Sequence, residues 1–426
     1  MSADETDSSS KSGGSQFGWP GSSASEPPET RRLGAHLRST PATHSPNLEL
    51  LTHVGEVDRQ IDELIRGPQY AMMQADKDAR LVSILRVLCR DVARRCAPYA
   101  RFLERLGGEP DTWQTVADVP PLPVAMFKRF DLAAVPPEKV VRQLRSSSTT
   151  GQEPSRIAVD KTTAFRQGRA LVSILKQHIG SRRRPFLVLD AAESVAGGDS
   201  LTARGAAVRG VENFASQTTF GMRTLAAGDI EPDWEVLEAF FARHGDDPIL
   251  LFGFTFIVWS RFVLEAERRG ARFYAPRAVL LHSGGWKKLQ AQAVSKEEFT
   301  RRTAAVLGCQ PQKILDFYGM VEQAGTVFVD CEAGNKHAPA FADVVIRRPY
   351  TLLPVEAGET GIIEVASVLP TSYPGHALIT DDQGMLVGVD DCPCGRKGSC
   401  FRFTQRIERV ELRGCGDTFA QSREIR

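Results

Sequence analysis

From Asp78 onward the apolar positions recur at three and four residues: Leu81, Ile84, Leu85, Leu88, Val92, Cys96, Tyr99, Leu103 and Leu106. That period gathers them on one stripe, and Gly107-Gly108 follows as a stop, so the pattern predicts a single long amphipathic helix over 78–106. Its arginines, Arg80, Arg86, Arg90, Arg94 and Arg95, fall to the solvated side. The Pro-punctuated stretch VPPLPVAMFKRFDL at 119–132 reads as extended chain. Beyond it, short apolar runs predict strands at 185–190, 249–252, 278–282, 313–317 and 361–367, and helical periodicity predicts helices at about 162–178, 256–269 and 296–307. Strands alternating with helices argue for an α/β sheet with parallel pairs, in which ligands bind beyond the carboxyl ends of the strands. Residues 1–47 are rich in Ser, Pro, Gly and Thr without apolar clustering and are expected to be disordered. The organisation expected is therefore a disordered segment at 1–47, a core at 48–405 and a short tail at 406–426.

Composition narrows the class. The 426 residues are 42% hydrophobic and 25% charged, the proportions of an ordinary soluble protein. A net charge of +1 gives no electrostatic footprint for nucleic acid or an anionic membrane. No run reaches the roughly 18 apolar residues of a membrane span, and MSADETDSSSKSGGS has no secretory pattern. The eight cysteines are then expected to be thiols or ligands in a cytoplasmic protein.

Chemistry gathers in the loops. In LRSSSTTGQEPSRIAVD, the hydroxyls of Ser146, Ser147, Ser148, Thr149, Thr150 and Ser155 surround Gly151, with Arg156 close behind. Successive N–H groups can form an anion nest to which such hydroxyls add donors, so the stretch reads as a nucleotide-phosphate loop. A Ser/Thr-rich linker has the same composition, but the apolar Ile157-Ala158-Val159 and a helical pattern follow at once. It is not a Walker A loop, which needs GxxxxGK[ST]. In HSGGWKK, Gly284 and Gly285 allow close backbone approach, Trp286 offers a flat face, and Lys287 or Lys288 can meet a carboxylate or phosphate. A plain turn with an interior tryptophan fits the same residues. DDQG at 381–384 is on its own a good β-turn. Cys392 and Cys394, with Cys331 and His337, make a candidate structural zinc site of the Cys₃His type, the alternative being free thiols in a tight turn. Cys415 lies between Gly414 and Gly416, just after Arg413, a setting that favours a bare thiolate.

Several of these stretches share a resemblance. SSSTTGQEPSRI resembles the SSGTTGxPK loop of the adenylate-forming superfamily, ligases that make an acyl-AMP from a carboxylate and ATP, with Ser148 at the first glycine and Arg156 near the usual lysine. DFYGMVEQ resembles YGxTE, with Val321 for the threonine, and implies that Tyr318 stacks on adenine, Gly319 lets the ring pass and Glu322 holds Mg²⁺. The segment at Gly284-Gly285-Trp286 resembles one that borders the acyl and adenine pockets. LITDDQG resembles YxTGDLG and implies that Asp382 holds the ribose hydroxyls. QRIERVELRG is similar to the hinge GRxDxxIKxxG, with Arg406 at the arginine and Glu408 at the acid. In the chain order phosphate loop, GGW, YGMVE, TDDQG, CPCGR and RGCGD, the motifs from about Val119 to Asp417 resemble bacterial acyl-protein synthetases, the fatty-acid-activating component of the luminescence fatty acid reductase. Phenylacetate-CoA ligases share the middle motifs.

The resemblance implies a large α/β domain of mixed and parallel sheets flanked by helices, a small β-rich subdomain and a truncated tail, because only a dozen residues follow Gly414 where most superfamily members carry a lid. It implies ATP and Mg²⁺, a fatty acid substrate, catalytic roles for Lys287 and Arg406, transfer of the acyl group to Cys415, and delivery to a reductase. Two other readings fit the same residues: an acyl- or aryl-CoA ligase, and a non-catalytic adapter.

Overall fold

The structure, a computed structural model, describes residues 46–106, 109–146, 154–194, 201–226, 228–286 and 293–407. The expected disordered segment lies outside the described residues up to 45, and so does the tail from 408.

The single helix expected over 78–106 is two helices, Gln74–Arg95 and Ala97–Leu106. Cys96 breaks them, with φ −129° and ψ 92°. Pro98 accounts for the break: it has no N–H to return to the carbonyl of Arg94, and its ring would collide with that carbonyl. Inside the first turn of the second helix the missing N–H costs nothing. In the first helix the apolar stripe is as the period requires, with Leu81, Ile84, Leu85, Leu88 and Val92 all buried, whereas in the second Tyr99 is buried, Leu103 half-buried and Leu106 exposed. The extended reading of 119–132 holds for Leu122–Pro123, which pairs as a strand, but Met126–Arg129 is a helical turn.

Sixteen strands are present among the described residues. In chain order they are β1 (Leu122–Pro123), β2 (Val140–Arg145), β3 (Arg156–Asp160), β4 (Arg184–Ala191), β5 (Leu201–Thr202), β6 (Ala215–Thr224), β7 (Ile230–Pro232) and β8 (Leu250–Phe254). There follow β9 (Val279–Ser283), β10 (Ile314–Gly319), β11 (Val327–Val329), β12 (Lys336–His337), β13 (Ala342–Arg347), β14 (Thr360–Ser367), β15 (Ala377–Val389) and β16 (Ser399–Arg406). A seven-stranded sheet runs β11-β10-β9-β8-β4-β6-β7. Its inner pairs are parallel and its two edge pairs antiparallel. A six-stranded sheet runs β12-β16-β15-β14-β13 with β1 added along β15, and β3-β2-β5 form a third. This is the mixed α/β architecture expected, with strands of the parallel sheet separated by helices such as Trp234–His244 and Lys296–Leu307.

The parallel strands read as unbroken apolar runs because both faces are covered. Phe186, Val188, Leu250, Phe252 and Leu281 feed one core cluster, while Leu187, Leu189, Ile249, Leu251 and Leu280 feed another on the opposite face. Helix ends carry the chemistry their positions require. Asp160 accepts from Thr163 N at 2.8 Å to open Lys161–Ile179, and Ser295 accepts from Glu298 N at 3.1 Å to open Lys296–Leu307, which closes on Gly308 at φ 67°.

A charged cluster crosses between the sheets. The buried Lys336 of β12 donates to Asp316 Oδ2 at 2.8 Å on β10 and to Asp330 Oδ1 at 3.0 Å, and Lys296 reaches Asp330 Oδ2 at 2.7 Å. Removing one member of a buried ion pair strands the other. Lys336→Met is therefore expected to lower unfolding stability by about 3 kcal/mol, the low end of that effect because Lys296 still pairs Asp330. The denaturant midpoint checks it.

Candidate active site

The carboxyl end of β10, the middle of β15 and the end of β16 converge on one carboxylate. Tyr318 Oη donates to Asp382 Oδ2 at 2.9 Å, and Arg406 Nε donates to Asp382 Oδ1 at 2.9 Å with its terminal nitrogen 3.4 Å from Oδ2. The register of the hairpin makes this possible, since Asp382 and Arg406 are direct partners across β15 and β16. Asp382 is 5% exposed, and its backbone N–H donates to Thr380 Oγ1 at 3.1 Å. The arginine that holds it is largely exposed along its side chain. The DDQG stretch is thus strand rather than turn: a sheet ladder on both sides of β15 outweighs the local turn preference.

Tyr318 is fixed by aromatic packing. Its ring stacks on Phe403 at 5.8 Å and 25° and meets Phe401 edge-on at 6.1 Å. Burial, and then the neighbouring Asp382 carboxylate, push its phenol well above the usual tyrosine range, so it remains a donor. Gly319, just beyond, is exposed; a Cβ there would meet Val327 Cγ1 at 3.2 Å.

Glu322 follows in a short 3₁₀ turn, Val321–Gln323, and is buried. Burial raises its carboxyl above the ordinary range, while the Ser155 hydroxyl and, at longer range, the charges of Lys128 and Arg406 oppose that shift. Tyr373 Oη donates to the backbone oxygen of Glu322 at 3.1 Å, which fixes the turn without engaging the carboxylate. Glu322 is therefore a buried acidic group whose charged form burial opposes, and a cation would stabilise that form.

Ser155 belongs to the base of the hydroxyl-rich loop. β2 and β3 pair antiparallel up to Arg145 and Arg156, and beyond that pair Ser146 N donates to Ser155 O at 3.3 Å while Ser155 N donates to Ser146 Oγ at 2.9 Å. Ser146 and Ser155 thus form the foot of the stretch, where β2 and β3 end their pairing, and that foot stands beside Glu322. Arg156 is exposed at the start of β3. Ser147, Ser148, Thr149, Thr150 and Gly151 lie outside the described residues, as do Lys287 and Cys415.

The other expected residues sit apart. Gly284, at φ 88°, and Gly285 are exposed after β9. Trp286 stands edge-on to Trp259 at 6.0 Å and Phe299 at 6.3 Å, against the core cluster on the sheet face opposite the one that packs Tyr318. Cys331, His337, Cys392 and Cys394 come together in a separate group with ligand atoms within 4.8 Å of one another.

Phe401, Phe403 and Thr380 were not singled out from the sequence. The alternation Phe401-x-Phe403 carries the period of a strand face and could have marked the wall behind Tyr318. The pairing of Arg406 with Asp382 depends on a register that two irregularities in the β15–β16 ladder shift, and no local signal encodes it.

Comparison with known proteins follows the same lines. The family described as "Acyl-protein synthetase, LuxE" matches residues 57–423. A long-chain-fatty-acid–luciferin-component ligase from Vibrio harveyi is 24% identical over 331 residues, covering 76% of this chain and 83% of the relative. The protein of the same name from Aliivibrio fischeri is 23% identical over 311 residues, covering 73% and 80%. Among solved structures, an open conformation of 2-hydroxyisobutyryl-CoA ligase in complex with 2-HIB-AMP and CoA aligns with a TM-score of 0.58 at 17% identity, over 81% of this chain and 78% of that one. The same ligase in its postadenylation state aligns with a TM-score of 0.58 at 15% identity, over 79% and 69%. At these identities the likeness is one of fold.

Proposed function

This chain belongs to the acyl-protein synthetase family LuxE and is a ligase with the adenylate-forming fold, and from that premise we propose that it activates a long-chain fatty acid with ATP and carries the acyl group on its own cysteine. The observation that carries the reading is the convergence of Tyr318, Asp382 and Arg406 at one carboxylate, with Glu322 and the foot of the hydroxyl-rich loop close enough for Arg406 and Ser155 to act on the Glu322 carboxyl.

In this reading Asp382 accepts hydrogen bonds from the ribose hydroxyls, Tyr318 borders the adenine, and the loop that begins at Ser146 cradles the phosphates. Gly284, Gly285 and Trp286 border the acyl side. Glu322 supplies the carboxylate that, with substrate phosphates, makes up a magnesium site, and the ion would neutralise charge on the phosphate oxygens. A carboxylate oxygen of the fatty acid attacks the α-phosphorus and pyrophosphate leaves, giving an acyl-AMP. Lys287 and Arg406 are the cations assigned to the charge that develops there. The Cys415 thiolate then attacks the carbonyl carbon, and the C–O bond to AMP breaks as the thioester forms, which splits one difficult transfer into two. The acyl group is passed from there to a partner reductase.

Incubating the protein with ATP, Mg²⁺ and a labelled long-chain fatty acid tests this. Protein-bound label released by hydroxylamine is the expected result. Label found on CoA only when CoA is added would make the protein an acyl-CoA ligase, and failure to exchange pyrophosphate into ATP would make it an adapter; either outcome overturns the reading.

A further inference from the structure

The thiols and imidazole set apart from the candidate active site lie close enough together to share one metal ion. Cys394 Sγ lies 3.4 Å from Cys392 Sγ and 3.3 Å from His337 Nε2, and Cys331 Sγ lies 3.9 Å from Cys392 Sγ. A tetrahedral zinc ion with Zn–S near 2.3 Å and Zn–N near 2.0–2.1 Å holds two sulfurs about 3.8 Å apart and a sulfur and a nitrogen about 3.5 Å apart. These three separations lie within about 0.4 Å of that template and are far longer than the ~2.05 Å of a disulfide. We infer that Cys331, His337, Cys392 and Cys394 bind one zinc ion as a closed structural site.

The local backbone is built to present these atoms. Cys392 and Cys394 are separated by a single residue, which in an extended strand would send both side chains the same way along one face with too wide a gap. Here Gly395 N donates to Cys392 O at 2.9 Å, closing a turn through Pro393 that folds the second sulfur back beside the first, and Gly395 takes φ 83° to allow it. On the other side Gly334, at φ 74°, closes a turn whose N–H meets Cys331 O at 2.8 Å, while Cys331 N donates to Asn335 O at 2.7 Å. His337 is then positioned by its pairing with Cys400 across β12 and β16. Cys331, His337 and Cys392 are buried and Cys394 half-buried, so four soft or borderline donors face one point with little water among them. Three thiolates and a neutral imidazole around a dication leave one net negative charge. Outer partners suit that charge: Asn335 Nδ2 donates to Cys392 Sγ at 3.5 Å, and the Arg396 guanidinium, paired with Glu332, also reaches the Cys394 sulfur. A site with four protein ligands has no open position for substrate, and thiolate-rich tetrahedral sets favour zinc over harder ions.

Its place in the fold gives the ion a task. Cys331 follows β11, whose Phe328 is the direct partner of Tyr318. Cys392 and Cys394 lie in the connection between β15 and β16, the hairpin that pairs Asp382 with Arg406. The ion therefore fastens the edge of the seven-stranded sheet to the hairpin of the six-stranded sheet, behind the residues that meet at Asp382.

Elemental analysis of the full chain, purified without chelators or immobilised metal, tests the inference. About one zinc per chain is expected, together with the visible absorption of a tetrahedral thiolate site when Co²⁺ replaces zinc. Cys392→Ser/Cys394→Ser loses the metal, whereas Cys309→Ser, a thiol outside the cluster, retains it. The inference is overturned by a folded wild-type protein that carries no metal and takes up no Co²⁺, by a disulfide among these cysteines in protein isolated without reductant, or by full zinc content in the double variant. The first two of these outcomes are read on the wild-type chain, so misfolding of a variant does not blunt them.

Discussion

Cys415→Ser is expected to lower the rate of protein acylation at least about a thousandfold while fatty-acid-dependent exchange of pyrophosphate into ATP continues. The asymmetry follows from the division of labour. In the proposed mechanism adenylation uses the nucleotide site and the acid, and no bond to Cys415 forms until the acyl-AMP exists. Acyl transfer requires a nucleophile that is ionised near neutral pH, and a serine hydroxyl is not. The setting of Cys415, after Arg413 and between two glycines, favours the thiolate and leaves the backbone free of side-chain obstruction. The seven residues from Glu408 can extend up to ~23–25 Å. The check is a paired measurement on one preparation: hydroxylamine-labile label and pyrophosphate exchange. Loss of both would mean that the cysteine supports the fold or the first step, and retention of both would assign the acceptor elsewhere.

Glu322→Gln is expected to have the opposite profile, losing the first step. The amide keeps the shape of the side chain but not its charge, and stabilisation of phosphate charge by a held cation amounts to several kcal/mol, so exchange should fall about 10²–10³-fold. Stability should hold, because Tyr373 bonds the backbone oxygen of residue 322 and burial already favours the neutral carboxyl. The raised carboxyl also sets a pH dependence. Binding a cation requires Glu322 to lose its proton, so at limiting Mg²⁺ the activity should rise with pH through that raised value, and saturating Mg²⁺ should move the acid limb to lower pH. Kinetics across Mg²⁺ concentrations, with thermal unfolding alongside, separate this from general damage.

Much of this architecture was legible along the chain because period and punctuation agree. The helix at Lys296–Leu307 announces itself by Ser295 and Gly308, and the parallel strands by apolar runs whose ends shifted by no more than two residues. Reading failed where a single residue overrides a pattern: Pro98 divides the helix that spacing alone makes continuous. It failed again where long-range pairing overrides local preference, as at DDQG, whose turn composition lies inside a thirteen-residue strand. The motif residues Tyr318 and Asp382 were recognisable singly, but their direct hydrogen bond spans 64 positions of sequence and two sheets. Lys336 shows the same limit. A lysine in a two-residue strand gives no sign from its neighbours that it lies buried between two aspartates.

In the proposed function an organic acid is adenylated where Tyr318, Arg406 and Asp382 meet, beside Glu322. Long-chain-fatty-acid-dependent exchange of labelled pyrophosphate into ATP, compared between the wild type and Asp382→Ala, tests it most directly. Exchange is expected in the wild type, with a KM for ATP that rises at least about tenfold in the variant, as loss of charged hydrogen bonds to the ribose would require. Absence of exchange in the wild type, or an unchanged KM for ATP in Asp382→Ala, would contradict it.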